Sequence, residues 1–554
     1  MSNDLRLALA QLNPVVGDLD GNAQKILETW QAYDAKADLV IFPELFLCGY
    51  PPEDLVLNAG FISNLDRKIK DICERSKAFQ SAAIVPSVWK ENNTIYNAAL
   101  LIKKGEIEDI LYKHKLPNDY VFDEPRTFAS GPLPSPMMFR GHKLGIMICE
   151  DVWHVDVPRH LKNCGAEVLI AINGSPFHVY QDDERRSVAL ECVLETGLDL
   201  IYLNMVGGQD ELVFDGRSFI MQKDRTITQT APGFEEHVIE LTISGKNNDK
   251  TFDITSDTPP VEPKNQPSLM YNALKIGVRD YVRKNGFHDV LIGLSGGIDS
   301  ALTAAIAVDA LGADHVRCVM MPSEFTSQES LDDAQDCAKK LGVQYEIIPI
   351  NDAVSSFENT LPDLSGLAHE NTQSRIRGTI LMALSNMSGA MVLTTGNKSE
   401  VAVGYCTLYG DMNGGFNALK DVYKTDVYKL SEWRNEQGEV IPKRIIIKAP
   451  SAELREDQKD QDSLPPYDLL DDILRLLIEY DNVNWDSAPK ILQEMRARCL
   501  EHPETVEKVA RLLKNSEYKR FQGAPGTRIS FRAFGRDRRY PMTNQFINKI
   551  EKSQ

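Results

Sequence analysis

A chain of 554 residues is too long for one hydrophobic core, so two or more domains are expected. With 42% hydrophobic and 25% charged residues it has the composition of a globular protein, and its net charge of -19 argues against a role in holding the backbone of a nucleic acid. There is no apolar run near membrane-spanning length and no signal-peptide pattern, and the nine cysteines show no C-x-x-C or paired Cys/His spacing, so a cytoplasmic protein with reduced thiols, no membrane contact and no zinc site is expected. In chain order, residues 5–12 read as a buried strand, and 21–37 as a helix carrying Ile26, Leu27, Trp30 and Tyr33 at helical spacing. A second apolar strand, 39–43, ends in Pro43-Glu44-Leu45, and further strands are predicted over 82–88, 97–103, 143–149, 168–173, 200–204 and 218–222. The alternation predicts an α/β or α+β sandwich in the first 245 residues.

Three points in this half carry candidate chemistry. Cys149 stands just past an apolar strand, where it is placed to lose its proton and attack a carbonyl. A carboxylate such as Glu44 could take that proton and later pass it to a leaving amine, and a lysine such as Lys115 would stabilise the oxyanion. Singly, each has an ordinary reading: a small buried hydrophobe, a turn residue after proline, and a solvated lysine beside Lys113 and His114. The ordered set is more specific. Pro-Glu, then Lys-x-x-Leu-Pro or Lys-Leu-Pro, then Cys-Glu-Asp resembles the nitrilase (carbon–nitrogen hydrolase) family. That resemblance implies an α-β-β-α sandwich with Glu44 as general base, Lys115 as oxyanion stabiliser and Cys149 as nucleophile. It also implies a glutamine pocket of Tyr50, Val121, Glu124, Ser175 and Gln181, where Gln181 stands at a position at which relatives commonly have lysine.

Residues 246–268 are polar and rich in Pro, Asp and Lys, and read as an interdomain linker. A helix over 269–284 follows, and then the apolar run Val290 to Leu294 breaks into Ser295-Gly296-Gly297 before a helix of small residues. Paired glycines let backbone approach a ligand closely, and the helix start offers free N–H groups to phosphate oxygens. Ser295 and Ser300 add hydroxyls, and Asp299 makes sense beside phosphates only with a cation between, so it is expected to bind Mg²⁺. No Gly-Lys-Ser/Thr follows, which excludes a Walker A loop. Strands at 316–321, 345–349 and 391–395 alternate with helices at 330–341 and 370–386, predicting a Rossmann-like parallel sheet in a domain spanning 269–554.

Ser-Gly-Gly-Ile-Asp-Ser resembles the pyrophosphate loop of the ATP pyrophosphatases. Together with Glu-Asn-x-Gln-Ser-Arg from Glu370, Thr-Gly-Asn-Lys-Ser-Glu from Thr395, Gly-Asp-x-Asn-Gly-Gly from Gly410 and Lys-Ala-Pro-Ser-Ala-Glu-Leu from Lys448, it resembles the NAD synthetase family. With the nitrilase-like half in front, the resemblance is to the glutamine-dependent branch, and it spans nearly the whole chain. It implies that glutamine, ATP and deamido-NAD are substrates, Mg²⁺ a cofactor, and a homo-oligomer the assembly. It also implies that Gly293, Leu294, Ser295, Gly296, Gly297, Ile298, Asp299, Ser300, Thr395, Lys424 and Ser451 bind ATP, and that Asp299 and Glu400 bind the metal. Asn371, Arg375, Glu400 and Lys519 are assigned to deamido-NAD on the same ground. The acidic stretch 452–466 is expected to be either a loop that orders over the site or a solvated linker. Helices are predicted over 467–480 and 503–516, and the basic tail 528–539 is expected to meet phosphate ligands or a neighbouring subunit. Amination of a different acid, or a tRNA-modifying protein on the same fold, are the alternatives; the motif set disfavours the first and the acidic charge the second.

Overall fold

In the computed structural model, which describes residues 4–245, 252–256 and 265–550, the chain separates into two units, Met1–Lys264 and Asn265–Gln554. The strands of the first unit are β1 (Leu5–Gln11), β2 (Leu39–Ile41), β3 (Ala82–Glu91), β4 (Thr94–Lys103), β5 (Glu106–Tyr112), β6 (Met137–Phe139), β7 (His142–Ile148), β8 (Val168–Asn173), β9 (Leu200–Asn204), β10 (Val206–Gln209), β11 (Leu212–Asp215), β12 (Phe219–Met221), β13 (Ile227–Thr230), β14 (His237–Gly245) and β15 (Phe252–Ser256). Its helices are α1 (Leu19–Tyr33), α2 (Ala59–Ser76), α3 (Asp156–Asn163) and α4 (Gln181–Thr196). Among the described residues, one sheet has the order β15-β14-β1-β2-β3-β4-β5, a second the order β13-β12-β9-β8-β7-β6, and β10 and β11 form a hairpin.

The period of two along each strand makes the layers. Leu7, Leu9, Ile41 and Ile84 of the first sheet pack face to face with Ile146, Ile148, Ile170 and Ile172 of the second. On the opposite faces, Ala8, Val40 and Ala83 pack under α1 and α2, while Met147, Leu169 and Ala171 pack under α3 and α4. The result is the expected α-β-β-α sandwich. Much of the stretch expected to be linker lies outside the described residues, but Phe252–Ser256 within it is a strand paired antiparallel with β14.

The second unit carries α5 (Gln266–Lys284), β16 (Val290–Gly293), α6 (Ile298–Leu311), β17 (Val316–Met320), α7 (Gln328–Leu341), β18 (Gln344–Ile347), α8 (Asn351–Thr360), α9 (Gly366–Ser388), β19 (Met391–Thr394), α10 (Lys398–Val403), β20 (Phe416–Asn417), α11 (Lys424–Glu436) and α12 (Lys443–Ile447). It closes with α13 (Tyr467–Ile478), α14 (Lys490–Leu500), α15 (Pro503–Asn515) and α16 (Glu517–Arg520). All pairings in its sheet are parallel, in the order β18-β17-β16-β19-β20. The chain leaves β16 to one side for β17 and β18, then returns to the other side for β19. A crevice therefore opens at the carboxyl ends of β16 and β19, the switch point where parallel α/β sheets bind ligands. The tail is not a free basic surface: Arg528 pairs with Asp537 at 2.6 Å, Arg532 with Asp481 at 2.6 Å and Arg538 with Glu517 at 2.8 Å.

Candidate active sites

In the first unit, Glu44 follows β2 and Lys113 follows β5 in one sheet, while Cys149 follows β7 and Gly174 follows β8 in the other. Both sheets thus deliver chemistry to one end of the sandwich. The Glu44 carboxylate is fully buried. Its Oε1 accepts from Lys113 Nζ at 2.7 Å and from Asn97 Nδ2 at 2.8 Å, and its Oε2 accepts from the Gly174 N–H at 2.8 Å. Lys113 Nζ also donates to Glu124 Oε1 at 2.9 Å, an oxygen that accepts from Tyr50 OH at 2.9 Å as well. Burial would lower the Lys113 pKa, but Glu124 and Glu44 beside it hold it well above the ordinary lysine value. Burial pushes the Glu124 carboxyl up to about 7 against the pull of Lys113.

Cys149 is buried and opens the 3-10 helix Cys149–Trp153 with a φ of +45°, a left-handed conformation that is strained for a residue with a Cβ. Burial pushes its thiol well above the usual range, Glu44 adds to this, and Lys113 opposes it. At neutral pH the sulfur therefore keeps its proton until a base takes it.

The lysine of this cluster is Lys113, not Lys115 as expected. Lys115 Nζ lies 2.8 Å from Asp156 Oδ2 with its side chain 27% exposed, whereas the Lys113 side chain is fully buried between two carboxylates. The longer spacing, Lys-x-x-Leu-Pro, was the signal that pointed to it. Of the expected glutamine-pocket residues, Tyr50 and Glu124 join the cluster directly, and Val121, Ser175 and Gln181 are buried. Ser175 is pinned by neighbours no motif named: its N–H donates to Asn204 Oδ1 at 3.0 Å, and its hydroxyl accepts from Arg185 Nε at 3.1 Å. Asn97 was missed too, and it does double duty, since its backbone oxygen accepts the Lys113 N–H at 2.8 Å while its amide holds Glu44.

In the second unit a cavity of about 290 Å³ is lined by residues 293–300 and by Thr395, Glu400, Lys424 and Ser451. The glycine turn works as expected. Gly296 has a φ of +79°, and a Cβ there would overlap the Ser330 carbonyl oxygen of α7. Gly296→Ala must move either α7 or the loop and is strained at this φ, and we expect it to destabilise the second unit by about 1–3 kcal/mol; thermal unfolding checks this. Ser295 and Ser300 hydroxyls lie 3.1 Å apart, and Ser300 Oγ donates to the Gly297 carbonyl at 3.0 Å.

Asp299 and Glu400 meet over one cation. Lys424, the first residue of α11, pairs with Asp299 and lies 3.4 Å from Glu400 Oε1. Asn397 organises the pair: it caps α10 by accepting the Glu400 N–H at 3.0 Å and donates its Nδ2 to Asp299 Oδ1 at 2.9 Å. Burial pushes the Glu400 carboxyl up to about 8, with Lys424 restraining the rise and Asp299 adding to it. The acidic stretch is folded at the cavity wall. Glu453 accepts from Ser330 Oγ at 2.7 Å, and Gln373 donates to the Leu454 carbonyl at 3.0 Å.

The residues assigned to deamido-NAD fall into two groups. Glu400 lines the cavity. Asn371, Arg375 and Lys519 instead converge on residues 404–408: Asn371 accepts from Thr407 Oγ1 at 2.8 Å, Arg375 donates to the Leu408 carbonyl at 3.2 Å, and Lys519 donates to the Gly404 and Cys406 carbonyls, each at 2.8 Å. Arg377, which the same helix offers to phosphate or ribose on its sequence alone, does line the cavity.

Comparison with known proteins matches both halves. The carbon-nitrogen hydrolase family model covers residues 6–247, and the NAD synthase family model covers residues 270–523. The glutamine-dependent NAD(+) synthetase of Rhodobacter capsulatus is 47% identical over 99% of this chain and 99% of its own, and that of Acinetobacter baylyi is 45% identical over 97% and 98%. Among solved structures, the glutamine-dependent NAD+ synthetase of Acinetobacter baumannii in complex with ADP superposes with a TM-score of 0.76 at 41% identity, covering 99% of this chain and all of that one.

Proposed function

The chain belongs to the glutamine-dependent NAD(+) synthetases, and from that premise we propose how its residues divide the work. The enzyme is a carbon–nitrogen ligase: it hydrolyses glutamine to ammonia, adenylylates deamido-NAD with ATP and amidates it to NAD(+), releasing AMP and pyrophosphate. Glutamine hydrolysis takes place in the first unit. Cys149 Sγ attacks the side-chain amide carbon while Glu44 accepts the thiol proton, which the burial of Cys149 keeps in place until that moment. Lys113 donates to the oxyanion, and Glu44 returns the proton to the departing ammonia, leaving a glutamyl thioester that water cleaves. The observation that carries this reading is the buried Lys113 bridging Glu44 and Glu124 at the strand ends that also present Cys149. Tyr50, Val121, Glu124, Ser175 and Gln181 form the glutamine pocket. Glu124 Oε2, buried with no hydrogen-bond partner among the described residues, is suited to a donor on the substrate.

In the second unit, residues 293–300, Thr395, Lys424 and Ser451 hold ATP, whose phosphates meet the free N–H groups at the start of α6. Asp299 and Glu400 fit Mg²⁺. They are two half-buried carboxylates that repel each other across Lys424, and two carboxylates plus substrate phosphates are the donor set this ion takes, with no cage of three or more protein ligands among the described residues. When bound, Mg²⁺ would offset the charge of the triphosphate. Asn371, Arg375 and Lys519 shape the 404–408 segment on the deamido-NAD side. We also infer a cytoplasmic location, which nine free cysteines support, and a homo-oligomer, which rests on the resemblance to the family alone.

The test is incubation with MgATP, deamido-NAD and glutamine carrying heavy nitrogen in its side-chain amide, in ammonium-free buffer. The label is expected in the carboxamide of NAD(+), with AMP and pyrophosphate formed in equal amounts. Unlabelled product, or ADP and phosphate in place of AMP, would count against this division of labour.

A further inference from the structure

Asp151 lies two residues beyond Cys149 with only 1% of its surface exposed. Burying a carboxylate is costly unless hydrogen bonds replace its water. Here they do: Oδ2 accepts the Ile148 N–H at 3.0 Å, and Oδ1 accepts the N–H groups of Lys115 at 2.8 Å and His114 at 3.1 Å. The first bond is local, and any short polar side chain capping the 3-10 helix could make it. The other two reach 36 and 37 residues back along the chain, to the segment directly after Lys113. That segment is anchored on its far side as well, with the Lys113 N–H donating to the Asn97 carbonyl and the Lys113 carbonyl accepting from the Gly131 N–H, both at 2.8 Å. One carboxylate therefore joins the backbone carrying the buried ammonium to the strained turn carrying the thiol, each drawn from a different sheet.

We propose that Asp151 is a positioning residue of the glutaminase centre, holding Lys113 and Cys149 in fixed register so that the ammonium meets the oxyanion formed when the sulfur attacks. The proposal rests on Cys149 and Lys113 having the roles assigned above. Its chemistry is plain: two rigid anchors on one side chain set a separation that neither strand end sets alone, and misplacement of about 1 Å can lower a rate about 100-fold.

The experiment uses the full-length enzyme, the variants Asp151→Asn and Asp151→Ser, and a diazo-ketone analogue of glutamine that alkylates the nucleophilic sulfur. Labelling is followed to completion, so that the rate constant and the final extent are read separately. Both variants are expected to label to the wild-type extent, with a rate constant and a glutamine kcat about 100-fold lower and a glutamine KM within about threefold. A residue needed only for folding would instead lower the final extent and leave the rate constant of the labelled chains unchanged; that result overturns the proposal. So does a wild-type rate in both variants, or failure of both to fold. Cys149→Ala serves as the separate control: if it is labelled or still hydrolyses glutamine, the reading of the site fails, whatever Asp151 does.

Discussion

Cys149→Ala is expected to make NAD(+) from ammonium chloride within about twofold of the wild-type rate, while glutamine-driven synthesis falls by about 10,000-fold or more. The sulfur is the atom that becomes bonded to the glutamyl group, so its removal takes away the covalent route and not merely a supporting contact. The substitution is small and the site is buried, so the sandwich should persist with a minor cavity cost of about 1 kcal/mol. Among the described residues, those that line the synthetase cavity belong to the second unit. Free ammonia can therefore supply the nucleophile that the first unit no longer makes. The assay is NAD(+) formation from deamido-NAD and MgATP with either nitrogen source. If the variant still uses glutamine, Cys149 is an ordinary buried cysteine; if it uses neither source, the two centres do not divide as proposed.

The second large effect separates two lysines that lie two positions apart. Lys113→Met should reduce glutamine hydrolysis by about 100- to 1,000-fold, the usual cost of losing one oxyanion donor, whereas Lys115→Met should change it by less than about threefold. Lys113 is the cation between Glu44 and Glu124, so its loss leaves two buried carboxylates facing each other and should destabilise the first unit by about 3–5 kcal/mol. Lys115 forms a partly exposed pair with Asp156, and such pairs contribute little. Glutamine hydrolysis and thermal unfolding of both variants decide it. Equal losses in the two, or a larger loss in Lys115→Met, would return the role to Lys115.

The sequence carried a good deal of this. Local features such as apolar runs, the Gly-Gly break before a small-residue helix, and short motifs at strand ends depend on neighbours within a few residues, and those appear in the structure near where they were expected. The glycine turn is an instance: Gly296 takes the positive φ that the motif predicts. Helix α2, absent from the expected elements, was equally legible, since Ile62, Leu65, Ile69 and Ile72 recur at helical spacing and all four are buried. The linker is a different case. Strand β15 sits in a polar stretch that shows little of itself, because it forms only by pairing with β14.

What lay beyond reach was which further side chains, distant in the chain, hold these groups in place. Asn97 carries no motif, and Asp151, though it closes the Cys-Glu-Asp motif, had no role assigned to it; their importance is a matter of meeting Glu44 at 2.8 Å and the Lys115 N–H at 2.8 Å across tens of residues. Arg185 and Asn204 are of the same kind as Asn97, and Asn397, though inside a motif, likewise has a partner in Asp299 that only packing chooses. The basic tail read as a surface because composition counts charges without showing that Arg528, Arg532 and Arg538 each find an acidic partner within the fold. The sequence by itself determined that the chain has two units and, through its resemblance to known families, what reaction each is equipped for, and it pointed to the glycine turn proposed to meet phosphate, because short motifs depend only on neighbours in the chain. Only the tertiary structure decided which lysine stands beside Glu44. Lys113 and Lys115 differ by a single step of the two-residue period, and no alternation rule separates them. The choice falls to where the chain leaves the sheet and which ammonium is then enclosed between two carboxylates.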